Sequence, residues 1–289
     1  KNNKSLADKS KLIYWMPVDW YNGGMEHVTL HLLYSRFWHK FLFDIGVVPT
    51  KEPYQKRTAH GMILAEGGVK MSKSKGNVVS PDVIVETYGA DTLRLYEMFM
   101  GPFDQSVAWS TESIIGPRRF IEKVWRLREK VSASGEDLIT SVHQTIKKVT
   151  EDIESMSFNT AVSQMMILGN KMERAEAILQ NDYESLVRLL APFVPHVAEE
   201  LWADLGHTES VHVEPWPTYD PKKIIATSTI IAVQVNGKVR DTFEIDASMP
   251  DKDVEQAALV REKVKAWTTG KEIKRLIYVK GRLVNVVVG

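Results

Sequence analysis

The sequence predicts an α/β region, then an α-helical bundle, and finally a small α+β module. Over residues 1–112, short apolar runs and glycine pairs alternate with helical segments, which is typical of α/β structure. Residues 113–221 carry apolar side chains at helical spacing with short breaks, which favours antiparallel helices. Residues 226–289 contain paired strand patterns around a helix. A chain of 289 residues accommodates this division at about 100–200 residues per domain.

In the α/β region, the apolar run Ile13–Met16 predicts a strand, and His27–Asp44 predicts a helix. Gly23 and Gly24 come just before the helix, so we expect them at a strand-to-helix turn that brings backbone close to a ligand. The helix prediction rests on apolar residues that recur near the 3.6-residue period. These residues are Val28, Leu32, Leu33, Phe37, Phe41 and Leu42.

The helical region opens with an amphipathic stripe that runs from Ile114 to Leu127. Further helices are expected near residues 141–155, 158–180 and 182–205. The proline-rich stretch 213–221 comes after them. Because proline fixes φ and lacks an N–H donor, this stretch is expected to be an extended connector.

The C-terminal module starts with the apolar run Ile230–Val235 and returns along Lys238–Ile245. Asn236-Gly237 joins the two runs and is a favoured pair for a two-residue type I′ turn. Two more strands are expected at Ile273–Val279 and Arg282–Val288. The pattern therefore predicts a small sheet with a helix inserted between its second and third strands.

Composition excludes several classes of protein. Hydrophobic residues make up 44% and charged residues 26%, so the chain can bury a core and is not of the disordered class. No apolar run approaches the roughly 20 residues of a membrane span. There is no cysteine, which removes disulfides and thiolate chemistry and fits a cytoplasmic setting. Lys+Arg and Asp+Glu both number 37, so a polyanion has to bind local basic patches.

The strongest local motif is a lysine-rich segment at residues 67–77, GGVKMSKSKGN. Lysines on a mobile loop can converge on one multiply charged anion such as a triphosphate, and serine hydroxyls and backbone N–H groups add donors. The segment is not a P-loop, because G-x-x-x-x-G-K-[ST] is absent. The alternative is a solvated basic loop, since charge runs most often lie on wet surface.

Residues 70–74 spell KMSKS, which is identical to the KMSKS loop of the class I aminoacyl-tRNA synthetases. Residues 88–95 (YGADTLRL) and 190–202 (LAPFVPHVAEELW) resemble segments of the leucine, isoleucine and valine enzymes. Residues 17–37 and 233–240 (VQVNGKVR) are similar to leucyl-tRNA synthetases of bacterial type. The resemblance extends over essentially the whole chain.

The resemblance implies a partial Rossmann-type catalytic region at 1–112, an α-helical anticodon-binding domain at 113–221, and a small α+β tRNA-binding domain at 226–289. It also implies the chemistry of a leucine–tRNA ligase. In that reaction, ATP with Mg²⁺ activates leucine to leucyl-adenylate, and the leucyl group is transferred to tRNA(Leu).

By the same resemblance, Lys70 and Lys73 are the catalytic groups that hold the departing phosphates. ATP-binding residues come from three segments of the chain. They are Gly23, Gly24, Glu26, Met62, Ile63, Lys70, Met71, Ser72, Lys73 and Ser74. His27 and His31, expected on one helix face, border the leucine pocket in this family. Helix packing and a two-histidine metal site are the alternatives, although H-E-x-x-H is not matched, and no bound metal is expected.

Basic residues of two regions are expected to contact tRNA phosphates. In the family, the helix after residue 112 lies along the acceptor stem and the C-terminal module docks the tRNA elbow. The residues concerned are Arg118, Arg119, Lys123, Lys238, Arg240, Lys280 and Arg282. A solvated helix face is the alternative for those on the helix.

The family's His-Ile-Gly-His motif and its editing insertion have no counterpart in these 289 residues. We therefore expect this chain to be the C-terminal portion of the enzyme and to be inactive alone. The N-terminal catalytic and editing portion would come from the same full-length chain or from a separate subunit. An isoleucyl- or valyl-type fragment and a non-catalytic tRNA-binding protein derived from a synthetase are the alternatives. The lack of cysteine and of terminal heptads favours the leucine enzyme.

Overall fold

The computed structural model describes residues 3–224, 228–246 and 249–289. These residues form two compact units. The first unit comprises residues 1–138 and 144–218, and the second comprises residues 139–143 and 219–289. Residues 226 and 227, at which the predicted C-terminal module begins, lie outside the described residues.

The α-helices are distributed over both units. They are α1 (Lys9–Trp15), α2 (His31–Asp44), α3 (Pro81–Tyr88), α4 (Ala90–Phe99), α5 (Ile115–Leu127), α6 (Ile139–Glu154), α7 (Phe158–Arg174), α8 (Gln180–Leu190), α9 (Pro195–Asp204), α10 (Asp251–Val260) and α11 (Glu262–Thr268). In the parts of the chain that are described, none of these helices is long and apolar enough to cross a membrane.

Among the described residues, the strands form one four-stranded sheet and three two-stranded sheets. They are β1 (Val18–Asn22), β2 (Tyr54–Thr58), β3 (Ile63–Leu64), β4 (Val107–Ala108), β5 (Val131–Ser132), β6 (Ile178–Leu179), β7 (Ser228–Val235), β8 (Lys238–Asp246), β9 (Ile273–Val279) and β10 (Leu283–Val288). In the first unit, β1 pairs with β2, β3 with β4, and β5 with β6, each pair being parallel. Parallel pairing over the first 110 residues agrees with the predicted α/β region.

The predicted strand Ile13–Met16 is wrong, because this segment ends helix α1. Asp8 caps that helix, since its carboxylate accepts hydrogen bonds from the N–H groups of Ser10 and Lys11. A short apolar run fits a strand or a helical segment equally well. The Asp8 cap stabilises the helical conformation here. The strand that leads into Gly23 is β1, which begins five residues after Ile13.

The predicted continuous helix His27–Asp44 is also wrong at its start. Met25–Val28 form a 3₁₀ turn, Leu30 has non-helical dihedrals (φ −110°, ψ −104°), and α2 begins at His31. His27 and His31 therefore do not share one helix face, although their spacing in sequence predicts it.

Helix α2 turns its polar residues towards the segment that follows it. Arg36 and Lys40 both bind Glu52, at 2.7 and 2.6 Å, and together they lower the pKa of that carboxyl to about 2. His39 Nε2 lies 2.7 Å from the carbonyl oxygen of Thr50. With these contacts on one side, the apolar residues Phe37 and Trp38 remain 68% and 61% exposed.

Helices α5 to α9 form the predicted bundle, but α7 ends at Arg174, before the predicted residue 180. The predicted helix 182–205 is two helices, α8 and α9, because Pro195 cannot donate a backbone hydrogen bond and the chain turns before it. Tyr183 is fully buried between helices, and its hydroxyl donates to the carbonyl of Val124 at 2.8 Å. That bond ties α8 to α5 inside the bundle core.

The C-terminal module confirms the four predicted strands in the order β8-β7-β10-β9. The β7–β8 hairpin turns at Asn236-Gly237, and both residues have positive φ (50° and 78°), as a type I′ turn requires. Alternate residues of β7 point inward, so Ile231, Val233 and Val235 join one buried cluster with Val254 and Val264 of the two helices. The inward-facing residues of the predicted apolar run therefore form the core face of this sheet.

Candidate functional site

Strand β1 ends in a glycine turn that lies beside the end of β2. The N–H of Gly23 donates to the carbonyl of Thr58 at 3.3 Å. Gly24 precedes the 3₁₀ turn, and a side chain there would collide with the carboxylate of Glu26, which folds back over the glycine. The turn thus places Gly23, Gly24 and Glu26 together at the carboxyl ends of two parallel strands. In open α/β sheets, ligands bind at such strand ends.

The two histidines come together in spite of the break between their elements. The rings of His27 and His31 meet edge to face, with centroids 6.5 Å apart. Tyr21 of β1 stacks against His31 at 5.5 Å, and its hydroxyl lies 3.0 Å from His31 Nδ1. Tyr54 also packs against Tyr21, with ring centroids 4.6 Å apart. His27 Nδ1 is buried and has no hydrogen-bond partner among the described residues.

Tyr21 is a residue that the sequence analysis missed. The signal is its position in β1, directly before the glycine turn, but the strand was predicted at Ile13–Met16 instead. In the structure, the side chains of Tyr21 and the two histidines form one aromatic cluster. Over the described ranges 3–224, 228–246 and 249–289, no group of three His, Asp or Glu side chains is arranged as a metal site.

The KMSKS segment is an exposed loop with an apolar anchor. Lys70 and Lys73 are exposed and form no ion pair in the described part of the chain, whereas Met71 packs against the buried cluster that contains Ile84 and Trp109. Lys73–Lys75 form a short 3₁₀ helix that ends at Gly76, whose φ is +65°. The loop therefore presents its cations to solvent while one side chain fixes its base.

Met62 and Ile63 lie at the start of β3, beside β4. The N–H of Met62 donates to Ser106 Oγ at 3.3 Å, and its carbonyl accepts from Val107 N at 3.1 Å. Gly61 is required here, because a Cβ would collide with the backbone carbonyl of Gln105. A cavity of about 480 Å³ opens beside this strand. Its lining includes His60, Met62, Ile63, Glu97, Met98 and Phe103, and burial raises the pKa of Glu97.

The three basic candidates on α5 differ in what they contact. Arg118 donates to Glu122 at 2.7 Å and to the carbonyl of Tyr88, at the end of α3, at 2.9 Å. Lys123 is 21% exposed and binds Glu173 at 2.7 Å and Asn170 at 2.6 Å, both on α7. These two side chains hold α5 to its neighbours.

Arg118 and Arg119 are both exposed, but Arg119 differs from the other two in its contacts. It has no hydrogen-bond or ion-pair partner among the residues that the structure describes. Its guanidinium is therefore free to meet a phosphate without breaking an internal contact.

In the C-terminal module, the guanidinium of Arg240 lies over the ring of Trp267 at 3.5 Å. Lys280 is 3.8 Å from Asp251 and remains mostly exposed. Lys238 and Arg282 lie at the two strand turns and are exposed. The neighbouring Asp241 is buried and paired with Arg261, which lowers the pKa of the Asp241 carboxyl. Basic side chains thus occupy both turns of the module's central strands.

Two family models match this chain. Residues 7–110 match the class I tRNA synthetases (I, L, M and V), and residues 136–256 match the anticodon-binding domain of tRNA ligases. The chain belongs to the class I aminoacyl-tRNA synthetases, which confirms the predicted fold class of a partial catalytic region followed by an anticodon-binding helical domain.

Within this class, the chain is similar to leucyl-tRNA synthetase. The ternary complex of Agrobacterium radiobacter K84 agnB2 LeuRS with tRNA and LeuAMS matches with 34% identity and a TM-score of 0.71. The match covers 98% of this chain and 40% of that chain. Methionyl-tRNA synthetase of Mycobacterium tuberculosis, bound by methionyl-adenylate, matches at 19% identity and a TM-score of 0.49, over 71% of this chain and 50% of that chain.

Proposed function

We propose that this chain is the C-terminal part of a leucine–tRNA ligase. In the complete enzyme it supplies the KMSKS loop and tRNA-binding surfaces for the activation of leucine by ATP and its transfer to tRNA(Leu). The observation that carries the proposal is the loop itself. Lys70 and Lys73 are exposed and unpaired among the described residues, on a loop anchored by Met71, in a chain 34% identical to a leucyl-tRNA synthetase.

In the first step of this reaction, the leucine carboxylate attacks the α-phosphorus of ATP and pyrophosphate leaves. Negative charge builds on the leaving group, so cations already in place stabilise the transition state more than the ground state. We assign that role to Lys70 and Lys73. Gly23, Gly24 and Glu26 are assigned to the ribose side of ATP, and the start of β3 at Met62 and Ile63 to the base.

Mg²⁺ enters this reaction with ATP, as part of the substrate. Asp, Glu and His residues do not form a three-ligand cluster anywhere in the described ranges. We route no step of the reaction through the metal.

We assign the aromatic wall formed by Tyr21, His27 and His31 to the leucine pocket. Its rings supply apolar surface for a branched side chain. Tyr21 holds the His31 ring by stacking and a hydrogen bond, and the unpartnered His27 Nδ1 remains available to a polar group of the substrate.

The partner of this chain is the N-terminal portion of the synthetase, in the same polypeptide or as a separate subunit. The chain spans 40% of the length of the leucyl-tRNA synthetase that it matches. Phe37, Trp38 and Phe41 of α2 pack edge to face against one another and all remain exposed. Exposed aromatic clusters mark interaction sites more often than free surface. The α2 aromatic cluster, Phe37, Trp38 and Phe41, therefore supports a docked second portion.

The test is reconstitution from two separately produced pieces. Leucine-dependent ATP–pyrophosphate exchange is measured for this chain, for the N-terminal portion, and for their mixture. We expect no exchange with either piece alone, restored exchange in the mixture, and formation of leucyl-tRNA(Leu) when tRNA is added. Robust exchange by this chain alone would contradict the proposal. A preference of the mixture for isoleucine or valine, or tRNA binding without aminoacylation, would assign it to one of the alternative functions.

For tRNA binding by this chain, we expect Arg119→Ala to weaken affinity and to reduce the slope of log K against log salt by about 1, as loss of one phosphate contact does. Fluorescence titration with labelled tRNA over a range of salt measures both quantities. Lys51→Ala, which removes an exposed cation far along the chain from α5, is the control and should leave the slope unchanged. An unchanged slope for Arg119→Ala would remove this residue from the interface.

A further inference from the structure

The side chain of Asn77 forms two hydrogen bonds to the backbone of the KMSKS loop. Its Oδ1 accepts a hydrogen bond from the N–H of Ser72 at 2.8 Å, and its Nδ2 donates to the carbonyl of Lys70 at 3.2 Å. A single carboxamide thus spans five to seven residues of sequence. The two backbone groups that it holds belong to Lys70 and to the residue that directly precedes Lys73.

The other hydrogen bonds of the loop also join residues within the loop. The N–H of Lys75 donates to the carbonyl of Ser72 at 3.0 Å, and the N–H of Gly76 donates to the carbonyl of Lys73 at 3.2 Å. The hydroxyls of Ser72 and Ser74 lie 2.7 Å apart. Residues 70–77 are therefore a small unit with its own network. Before it stand Gly67 and Gly68, both with positive φ, in a separate turn.

We propose that Asn77 is a positioning residue that holds Lys70 and Lys73 at a fixed spacing, so that the loop acts on the leaving phosphates as one preformed unit. This inference rests on the proposed function, since it concerns the same lysines. The physical reason is that two long cations on an unconstrained loop lose conformational freedom when they close on one anion. A loop that is already closed avoids most of that loss.

The chemistry of the carboxamide explains why asparagine is needed. Both contacts are made at once, one as acceptor and one as donor, which aspartate cannot do because a carboxylate only accepts. Aspartate would also place a negative charge beside the lysines and the phosphates. Alanine would leave the Ser72 N–H and the Lys70 carbonyl without their partner.

The first test uses the reconstituted enzyme. We expect Asn77→Ala to lower kcat/KM for ATP in pyrophosphate exchange by roughly 10- to 100-fold, the range that follows small misplacements of catalytic groups, with KM for leucine unchanged. Asn77→Asp should be at least as impaired. Asn181→Ala is the matched control and should behave as the unmodified enzyme, because this exposed asparagine on α8 has no side-chain hydrogen bond or ion pair among the described residues.

A double-mutant cycle separates positioning from general damage to the fold. If Asn77 acts through Lys73, adding Asn77→Ala to Lys73→Met should cost little more than Lys73→Met alone. Two fully additive losses, or an equal rise in KM for leucine, would overturn the inference.

A second measurement does not depend on activity. In this chain alone, hydrogen exchange at the Ser72 amide should be slow and should speed up in Asn77→Ala, with the change confined to residues 70–77. A fast-exchanging Ser72 amide in the unmodified chain would refute the role of Asn77 while leaving the proposed function standing. Conversely, the proposed function would be refuted if the Ser72 amide were protected but the mixture of the two pieces showed no ATP–pyrophosphate exchange.

Discussion

Lys73→Met should reduce leucine-dependent ATP–pyrophosphate exchange by the reconstituted enzyme by roughly 10²–10³-fold, the usual loss when one stabiliser of developing charge is removed. Methionine keeps the length of the apolar stem and removes only the cation. Because Lys73 is exposed and has no ion pair in the described part of the chain, the folded state loses no contact. The loss should therefore appear in kcat, with thermal unfolding of the chain unchanged.

Lys75→Met is the matched control for this prediction. Lys75 lies in the same 3₁₀ helix, two residues on. Since that helix has about three residues per turn, the two lysines project in different directions. We expect Lys75→Met to retain activity within about threefold, a change of well under 1.4 kcal/mol in the barrier. Equal losses in both variants would mean that general loop charge, and not Lys73, binds the phosphates.

Phe37→Glu should strongly weaken assembly with the N-terminal portion while leaving this chain folded. Phe37 is 68% exposed in the chain alone, so a glutamate there meets solvent and should change the free energy of unfolding by only about 0.5 kcal/mol. In an assembled enzyme the same carboxylate would be buried against apolar surface. Loss of an aromatic anchor typically costs 2 kcal/mol or more, which is at least about 30-fold in affinity.

Sedimentation or calorimetric titration of the two pieces measures that affinity, and pyrophosphate exchange in the mixture follows it. Ile167→Glu is the control, because Ile167 is also an apolar helical residue that is half exposed, but on α7 of the bundle. It should assemble normally. Assembly of Phe37→Glu with unchanged affinity would show that the α2 aromatic cluster faces something other than the N-terminal portion.

Helices and strands were predictable wherever the pattern was long and unambiguous. The hairpin at Asn236-Gly237 follows from turn chemistry, and the amphipathic stripe of α5 follows from its period. The prediction failed at Ile13–Met16, where four apolar residues fit a strand or a helix equally well and an aspartate cap decided. It failed again at His27–Asp44, where apolar spacing continues through a break in the backbone at Leu30.

The candidate site divides in the same way. The KMSKS letters identify the lysine loop and its family without any coordinates, since the lysine cations and flexible glycines are local properties of the sequence. Tyr21 and Asn77 emerge only from the fold, because their partners are 10 and five to seven residues distant. Arg118, Arg119 and Lys123 look equivalent in sequence, yet two of them are occupied by neighbouring helices.

The sequence by itself determined the class of this protein, the order of its regions and the position of the lysine-rich KMSKS segment. These depend on residue types and short spacings, which are already complete in the linear chain. Only the tertiary structure decided which cations lack a partner among the described residues, which aromatic rings contact one another, and which face of α2 remains exposed. Those properties are set by contacts between distant segments, where burial and hydrogen bonding outweigh local preference.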